Sequence, residues 1–134
     1  MSNLLNTGKA VLDKQPFSKF LGAELVSLDS GKAILALAVR PEFLQQNGFV
    51  HGGVISYLID NALTFAGGSV LGDRVVTAEF KVNYIKPARG ERLVAEAVVE
   101  GSGPRLAVCR CEVRAFHAGK DSLCAVGQGT ISLI

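Results

Sequence analysis

Residues 51–68 read His51-Gly52-Gly53-Val54-Ile55-Ser56-Tyr57-Leu58-Ile59-Asp60-Asn61-Ala62-Leu63-Thr64-Phe65-Ala66-Gly67-Gly68, and this stretch decides the fold. Apolar side chains occur on almost every side of the helix that this segment would form. A helix of this kind is enclosed by other elements instead of lying on a surface. We therefore predict a buried helix from about Gly52 to Ser69, ended by the Gly67-Gly68 pair and by Gly72.

A single carboxylate, Asp60, lies in the middle of this apolar helix. Removing a lone carboxylate from water is costly, so such a group takes a hydrogen-bonding partner, becomes neutral or lines a cavity with polar contents. Residues four apart share a helix face, which gives one stripe of small or polar groups: Gly52, Ser56, Asp60 and Thr64. Asp60 is the strongest candidate for a catalytic group, and a structural carboxylate that caps neighbouring backbone is the alternative.

The start of the helix offers hydrogen-bond donors, because its first backbone N–H groups have no acceptor within the helix and the helix dipole adds positive charge there. Gly52 and Gly53 would let a ligand approach this backbone closely, which suits a developing oxyanion. Gly52 and Asp60 are separated by roughly 12 Å at about 1.5 Å per residue, too far to act on one carbonyl. We therefore expect a two-fold dimer with antiparallel helices, in which Gly52 of one chain meets Asp60 of the other.

Predicted strands flank this helix. Residues 23–39 alternate as two strands joined at Asp29-Ser30-Gly31, and the second strand is apolar on both faces. Four more strands are predicted after the helix, over residues 75–86, 92–100, 106–116 and 123–133, and their short connections predict antiparallel neighbours. The expected fold class is α+β, with a curved antiparallel sheet around one long central helix. A short helical segment over about residues 4–21 would cap it.

Composition fits one domain over residues 1–134. Apolar residues make up 49% of the chain and charged residues 19%, an excess of core-forming side chains that favours an additional interface between subunits. The net charge is only +2 and the basic residues are scattered, which argues against a nucleic-acid partner. The N-terminus lacks a signal-peptide pattern and no apolar run approaches the length of a membrane span, so we expect a soluble cytoplasmic protein without a membrane partner.

The chain has three cysteines, Cys109, Cys111 and Cys124. An odd number outside a disulfide-rich setting favours reduced thiols in a cytoplasm. Cys109 and Cys111 share a face of a predicted strand, where the role of small core residue is more common than that of metal ligand. We predict no metal site.

Two segments resemble a known family. The first is Asn47-Gly48-Phe49-Val50-His51-Gly52-Gly53, followed nine residues after the histidine by Asp60, and the second is Thr77-Ala78-Glu79-Phe80-Lys81-Val82-Asn83-Tyr84-Ile85-Lys86-Pro87-Ala88-Arg89-Gly90-Glu91. Together they resemble the signature of the hotdog-fold acyl-CoA thioesterases, in the PaaI-like branch of the 4-hydroxybenzoyl-CoA thioesterase superfamily. The resemblance covers the chain from about Phe17 to its end. It implies the hotdog fold and homodimers that often pair into tetramers.

The resemblance also implies catalytic roles for residues around the helix start. Asp60 corresponds to the carboxylate that attacks the thioester or activates water. Gly52 corresponds to the backbone donor that polarises the thioester carbonyl, and His51 to the histidine beside it. Gln45 corresponds to a position where many relatives carry asparagine and some glutamine, whose amide would orient water or the carbonyl.

Two hydroxyls complete the implied site. Thr64 and Thr77 correspond to positions where relatives place a hydroxyl near the nucleophilic water. By strand parity, Thr77 shares a face with the polar residues Glu79, Lys81 and Asn83. A simple strand would turn Thr77 away from the helix, whereas a β-bulge or a position at the rim of a pocket would reconcile it with a role in the site.

The candidates for substrate binding are Gly53, Asn47, Phe49, Lys86, Arg89 and Arg105. The three basic residues would bind the phosphates of coenzyme A, for which a guanidinium group has suitable geometry; ordinary solvated surface charges are the alternative. The acyl group would pack among Leu58, Phe65, Phe49 or Tyr57.

The function we expect is hydrolysis of an acyl-CoA thioester to a free acid and coenzyme A, with coenzyme A as part of the substrate and no separate cofactor. Two alternatives stay open. An acyl-thioester hydratase or dehydratase would need a proton-shuttling histidine paired with a carboxylate at other spacings than those found here. A non-catalytic acyl or CoA-binding module would have no use for His51, Gly52 and Asp60 together.

Overall fold

The computed structural model describes residues 2–134. Its helices are α1 (Ser2–Asp13), α2 (Pro16–Leu21) and α3 (Gly52–Leu71), and a short 3-10 turn covers Pro41–Phe43. Its strands are β1 (Glu24–Asp29), β2 (Lys32–Ala38), β3 (Val75–Tyr84), β4 (Arg92–Ser102), β5 (Leu106–His117) and β6 (Lys120–Leu133). The predicted order of two strands, one long helix and four strands is confirmed.

The strands form one antiparallel sheet in the order β1-β2-β4-β5-β6-β3. The pairs β4–β5 and β5–β6 follow short connections, as predicted. The prediction is wrong for β3 and β4, because β3 pairs with β6 at the edge of the sheet. Residues 85–91 make no hairpin: Pro87 cannot donate to a ladder, and the Ala88 carbonyl accepts a 2.9 Å hydrogen bond from Val50 N–H. This connection therefore carries the chain from the sheet edge back to its interior.

The central helix α3 contacts all six strands, which a sheet can provide only by curving around it. The buried residues of α3 are Ile55, Leu58, Ile59, Ala62, Leu63, Phe65, Ala66 and Gly67. We expected no apolar run as long as a membrane span, but α3 meets that criterion by its length and composition alone. Its apolar character is explained by its burial against the sheet. This is the predicted α+β hotdog architecture.

The helix α3 continues through Gly67 and Gly68, which we expected to stop it, and ends at Leu71. Its end is capped by Gly72, at φ 111°, whose N–H donates to the Gly68 carbonyl at 2.8 Å. Gly67 serves packing instead, because a Cβ at this position would lie 2.7 Å from the Cβ of Ile131 on β6. The absence of a side chain at Gly67 lets the helix approach β6 closely.

A buried polar cluster joins α2 to α3. The Tyr57 hydroxyl donates to Ser18 Oγ at 2.6 Å, Ser18 donates to Gln15 Oε1 at 2.5 Å, and Asn61 Nδ2 lies 3.1 Å from the Tyr57 hydroxyl. Ser18 is only 1% exposed, so these groups satisfy one another away from water. Burial raises the pKa of Tyr57, and its hydrogen bonds with Ser18 and Asn61 partly oppose that shift.

The three cysteines are free thiols, and all of them are buried in β5 and β6. Between residues 2 and 134, no group of three or more His, Cys, Asp or Glu side chains could hold a metal ion.

Candidate active site

The carboxylate of Asp60 contacts a hydroxyl on the neighbouring strand. Asp60 is half-buried in the middle of α3, and its Oδ1 accepts a hydrogen bond of 2.6 Å from Thr77 Oγ1 on β3. A hydroxyl that donates to a carboxylate makes a short, charge-assisted bond. Within the described chain no donor reaches Oδ2, so this second oxygen is open to water or to a substrate.

A β-bulge turns Thr77 toward the helix. The register of β3 on β6 shifts between Thr77 and Glu79, so these two residues face opposite sides although they are two apart. Beyond the bulge, Phe80 and Val82 pack against the core. Glu79 instead accepts a hydrogen bond of 2.7 Å from Thr130 on the outer face. From the strand parity of Thr77, we expected either a bulge or a position at the rim of a pocket, and the structure has a bulge.

Thr64 extends this contact along α3. Its Oγ1 lies 2.9 Å from Thr77 Oγ1 and 2.8 Å from the backbone carbonyl oxygen of Asp60. Each hydroxyl has one proton. Thr77 gives its proton to the carboxylate, so the single proton of Thr64 has two acceptors within reach, Thr77 Oγ1 and the Asp60 carbonyl oxygen. The two threonine hydroxyls therefore lie side by side next to Asp60, and the hydrogen bond from Thr77 orients the carboxylate. We call these three residues the carboxylate end of the site.

The start of α3 leaves a backbone donor unpaired. His51 is the N-cap, and its Nδ1 accepts from Gly53 N–H at 2.8 Å. Val54 N–H donates to the His51 carbonyl at 3.0 Å. The N–H of Gly52 finds no acceptor among residues 2–134. A free N–H at a helix start is suited to bind an anionic oxygen. We call His51, Gly52 and Gly53 the donor end.

Tyr84 belongs to the donor end in space, and sequence reasoning missed it. Its hydroxyl donates to the Gly52 carbonyl at 2.8 Å. A Cβ on Gly52 would lie 3.0 Å from the same hydroxyl oxygen, so the absence of a side chain at Gly52 relieves crowding at this contact. The sequence did contain one indication of this contact. Tyr84 is the last residue of β3 and lies on the same strand face as Phe80 and Val82, which pack against the core.

Gln45 holds the turn that precedes α3. Its Oε1 accepts hydrogen bonds from the backbone N–H groups of Asn47 and Phe49, and its own N–H donates to the Phe49 carbonyl at 2.8 Å. Gln45 and Phe49 line a cavity of about 550 Å³ together with the donor end. Asn47 is exposed and contributes its backbone to the turn.

The two ends of the site lie apart within one chain. The 550 Å³ cavity contains Gln45, His51, Gly52 and Gly53 but not Asp60. Thr64 lines a different cavity, of about 420 Å³, between α1 and α3. One chain therefore brings Asp60, Thr64 and Thr77 together, and it separately brings Gln45 to the donor end, without joining the two groups.

The three basic candidates are also divided. Lys86 lines the cavity of the donor end, and the guanidinium carbon of Arg89 lies 5.8 Å from the centre of the Phe49 ring. Arg105 follows β4 whereas Arg89 precedes it, and a strand of 11 residues spans roughly 33 Å at about 3.3 Å per residue. A single chain therefore places Arg105 far from the other two.

The structure also sorts the apolar candidates for acyl contact. Leu58 is fully buried and has no surface left for an acyl group, so that expectation is wrong. Phe65 lines the cavity between α1 and α3, and Phe49 lines the cavity of the donor end. Tyr57 is held by Ser18 on α2. The two phenylalanines are therefore the candidates that remain accessible from a cavity.

The chain is similar to known proteins in both sequence and fold. The family model described as the thioesterase superfamily matches residues 47–121, a range that contains both the donor end and the carboxylate end. A relative from Deinococcus radiodurans, provisionally named an esterase, is 37% identical over 117 residues, which cover 87% of this chain and 77% of the relative. The acyl-coenzyme A thioesterase PaaI of Escherichia coli is 28% identical over 105 residues, which cover 78% of this chain and 74% of PaaI.

Among solved structures, the crystal structure of a thioesterase family protein from Silicibacter pomeroyi matches with a TM-score of 0.90 and 31% sequence identity. The match covers 99% of this chain and 97% of that chain. The likeness therefore includes the N-terminal helices as well as the sheet and α3.

Proposed function

The chain belongs to the thioesterase superfamily, and we propose that it hydrolyses an acyl-coenzyme A thioester to a free acid and coenzyme A. It is a PaaI-like hotdog enzyme that cleaves thioesters. The observation that carries the proposal is the half-buried Asp60, fixed through Oδ1 by Thr77 while Oδ2 stays open. The name of the PaaI relative supports coenzyme A as the thiol part of the substrate.

Asp60 can act in two ways. In the first, Oδ2 attacks the carbonyl carbon of the thioester, the C–S bond breaks, the thiolate of coenzyme A leaves, and water then hydrolyses the acyl anhydride on Asp60. In the second, Oδ2 takes a proton from a water molecule while the oxygen of that water attacks the carbonyl carbon. The C–S bond breaks, and the departing thiolate receives the proton from Asp60. Both routes place negative charge on the carbonyl oxygen. The free N–H of Gly52 stabilises that charge.

A dimer is required for this chemistry, because Gly52 and Asp60 on one helix are roughly 12 Å apart. The strand β3 lies at the edge of the sheet, and unpaired edges are ready to pair with another strand. Its exposed apolar side chains support such pairing, with Val76 45% and Tyr84 54% exposed. Two β3 strands related by a two-fold axis would extend the sheet and set the two α3 helices antiparallel. Further pairing of such dimers gives the proposed tetramer.

The nucleotide part of coenzyme A binds basic side chains in this proposal. Lys86 and Arg89 supply positive charge beside the donor end, which suits phosphate groups. In an antiparallel dimer, the end of one chain that carries Arg105 approaches the partner's donor end, so Arg105 can join the same phosphate site. Asp60 and the Gly52 N–H supply the base or nucleophile and the oxyanion donor, and the proposed reaction therefore uses no separate cofactor. The three free thiols favour a cytoplasmic location.

The test is thiol release from a panel of acyl-CoA substrates by the natural chain and by Asp60→Asn. Asparagine keeps the size of the side chain and an oxygen for Thr77, but it neither attacks nor takes a proton. We expect a loss of at least about 100-fold in kcat, with the thermal midpoint retained. Asp29→Asn, at the exposed end of β1, is the matched control and should leave kcat unchanged.

Two outcomes would reject the proposal. No thiol release from any acyl-CoA by the natural chain would reject hydrolysis of this substrate class. Full activity of Asp60→Asn would reject the role of Asp60. Mass analysis of enoyl-CoA products separates hydrolysis from hydration, because hydration adds water without releasing coenzyme A.

A further inference from the structure

A cavity of about 420 Å³ lies between α1 and α3, and Thr64 lines it whereas Asp60 does not. Its apolar walls are Leu4, Val11, Leu28, Phe65 and Val75. We call it the α1–α3 cavity. Its size is within the range of roughly 300–1,000 Å³ that is usual for sites of small ligands, and its apolar walls suit an apolar occupant.

The α1–α3 cavity and the carboxylate end share the side chain of Thr64. Thr64 lines the cavity from α3, and the Thr64 hydroxyl lies 2.9 Å from the hydroxyl that binds Asp60. Val75 lines it from β3, two residues before Thr77 on the same strand face. A thioester carbonyl at Asp60 is therefore one side chain away from the wall of this cavity.

The position of α1 is fixed, so the cavity has a defined width. Gly8 is buried in α1, and a Cβ there would lie 2.6 Å from Leu25 Cδ2 and 2.7 Å from Leu28 Cδ2. The helix therefore lies as close to β1 as its backbone allows. This close contact leaves Val11, one turn further along α1 and 37% exposed, at the outer wall of the cavity.

Among the described residues, the lining of the cavity carries one charged side chain, that of Asp73. No cationic side chain from residues 2–134 lines it to pair with an acyl group that ends in a carboxylate, and Asp73 would repel such a group. Gln15 and Asn61 contribute neutral amides to the wall. The chemistry of the lining therefore selects an uncharged acyl group.

We infer that the α1–α3 cavity binds the acyl group of the substrate, and that it accepts uncharged aliphatic acyl groups of medium length. This inference rests on the proposed function. A methylene group is about as large as a water molecule, whose share of the liquid is roughly 30 Å³. The cavity therefore has room for on the order of ten such groups. Val11 and Phe65 determine how far the chain extends, because they form opposite walls on α1 and α3.

The test compares Val11→Phe with Asn6→Phe. The first variant places a ring into the cavity from α1, and the second places the same ring on an exposed position that does not line the cavity. Neither residue is at the carboxylate end or the donor end. Thiol release is measured with acetyl-, hexanoyl-, decanoyl- and myristoyl-CoA, and the binding of decanoic acid is measured by calorimetry.

We expect Val11→Phe to lower kcat/KM for decanoyl-CoA at least tenfold, since each excluded methylene changes discrimination by roughly 10–200-fold. Its kcat/KM for acetyl-CoA should stay within about twofold of the natural value, because a short acyl group ends before the new ring. Decanoic acid should bind to the natural chain and to Asn6→Phe but not to Val11→Phe.

The inference is overturned if Val11→Phe keeps the natural dependence of kcat/KM on acyl-chain length. It is also overturned if Val11→Phe lowers kcat/KM for all four substrates by the same factor. Failure of the proposed function gives a different result, in which the natural chain releases no thiol from any substrate. The binding of decanoic acid then tests the cavity independently of activity. Equal binding to the natural chain and to Val11→Phe overturns the inference, and so does the absence of binding to either.

Discussion

Thr77 Oγ1 donates a hydrogen bond of 2.6 Å to Asp60 Oδ1, although the strand parity of Thr77 matches that of the outward-facing Glu79. The bulge between Thr77 and Glu79 reverses the facing of β3 at this point. The orientation of the carboxylate on α3 therefore depends on a local irregularity in the neighbouring strand. The hydroxyl of Thr77 can be removed without any change to the helix.

Thr77→Val tests this contact. Valine keeps the shape of threonine and its preference for strands, but it leaves Oδ1 of Asp60 without its donor. Hydrogen bonds to charged groups contribute roughly 1.5–3 kcal/mol, so we expect kcat to fall by about 10- to 100-fold. Steady-state thiol release measures the loss.

Thr130→Val is the matched control. Thr130 lies opposite the bulge on β6 and donates to Glu79 on the outer face. The same substitution there removes a hydroxyl from the sheet but none from the site, and kcat should stay unchanged. An equal loss in both variants would attribute the effect to the sheet and contradict the role of the Thr77 hydroxyl.

The sequence was sufficient for the central helix and the order of the elements. An apolar surface on all sides of residues 52–69 identifies a buried helix at once, and alternation identifies the strands. The partner of β3 was not predictable in this way, because a short connection favours β4, whereas β3 pairs with β6 and packs Phe80 and Val82 against the core. Global packing decides that pairing, and no local pattern contains it.

The site was predictable to a similar degree. The parity of Thr77 required either a bulge or a pocket rim, but only the pairing with β6 locates a bulge between Thr77 and Glu79. The contact of Tyr84 with Gly52 joins residues 32 positions apart, and no local pattern in either segment predicts it. Local patterns reveal which residues have unusual chemistry, whereas contacts between elements depend on the folded sheet.

Gly67→Ala should destabilise the fold. A methyl group at this position would lie 2.7 Å from the Cβ of Ile131, and overpacking of a core costs typically 1–3 kcal/mol. Gly68→Ala is the control, because its methyl group would meet Val75 at an ordinary 3.4 Å and alanine favours helix over glycine by about 1 kcal/mol. Urea unfolding should give a lower midpoint for Gly67→Ala and an equal or higher midpoint for Gly68→Ala. Equal midpoints in the two variants would contradict the close packing of α3 on β6.

The buried thiols should resist alkylation in the native enzyme. Burial raises the pKa of Cys109 to about 11 and, with the nearby Glu112 and Glu96, that of Cys111 to about 12. A thiol with a pKa of about 11 is ionised to roughly one part in a thousand at pH 8, and the thiolate is the reactive form. Iodoacetamide at pH 8 should therefore label no cysteine in the native protein and all three in urea, as measured by mass. Rapid labelling of Cys109 or Cys111 without denaturant would show that β5 opens locally.

Gly52→Ala should impair the donor end. The new methyl group would lie 3.0 Å from the Tyr84 hydroxyl oxygen, so the hydrogen bond from that hydroxyl to the Gly52 carbonyl is disturbed and the first turn of α3 loses a contact that orients its N–H. Removal of one oxyanion donor costs roughly 100- to 1,000-fold in kcat, and a displaced donor should cost at least about tenfold. Gly101→Ala is the control, because nothing lies within 4 Å of its added Cβ. A kcat for Gly52→Ala equal to that of the natural chain would contradict the assignment of Gly52 to the site.

Mixing Gly52→Ala with Asp60→Asn distinguishes a site shared between chains from a site within one chain. Each variant alone has lost one component of both sites in its dimer. If subunits exchange freely, about half of the dimers contain one chain of each kind, and in these the natural Gly52 of one chain faces the natural Asp60 of the other. One of the two sites is then intact, so the mixture should recover about a quarter of the natural kcat. A site within one chain predicts no recovery, because neither chain has both residues. The measurement is thiol release before and after subunit exchange, with a sample of each variant exchanged against itself as the control.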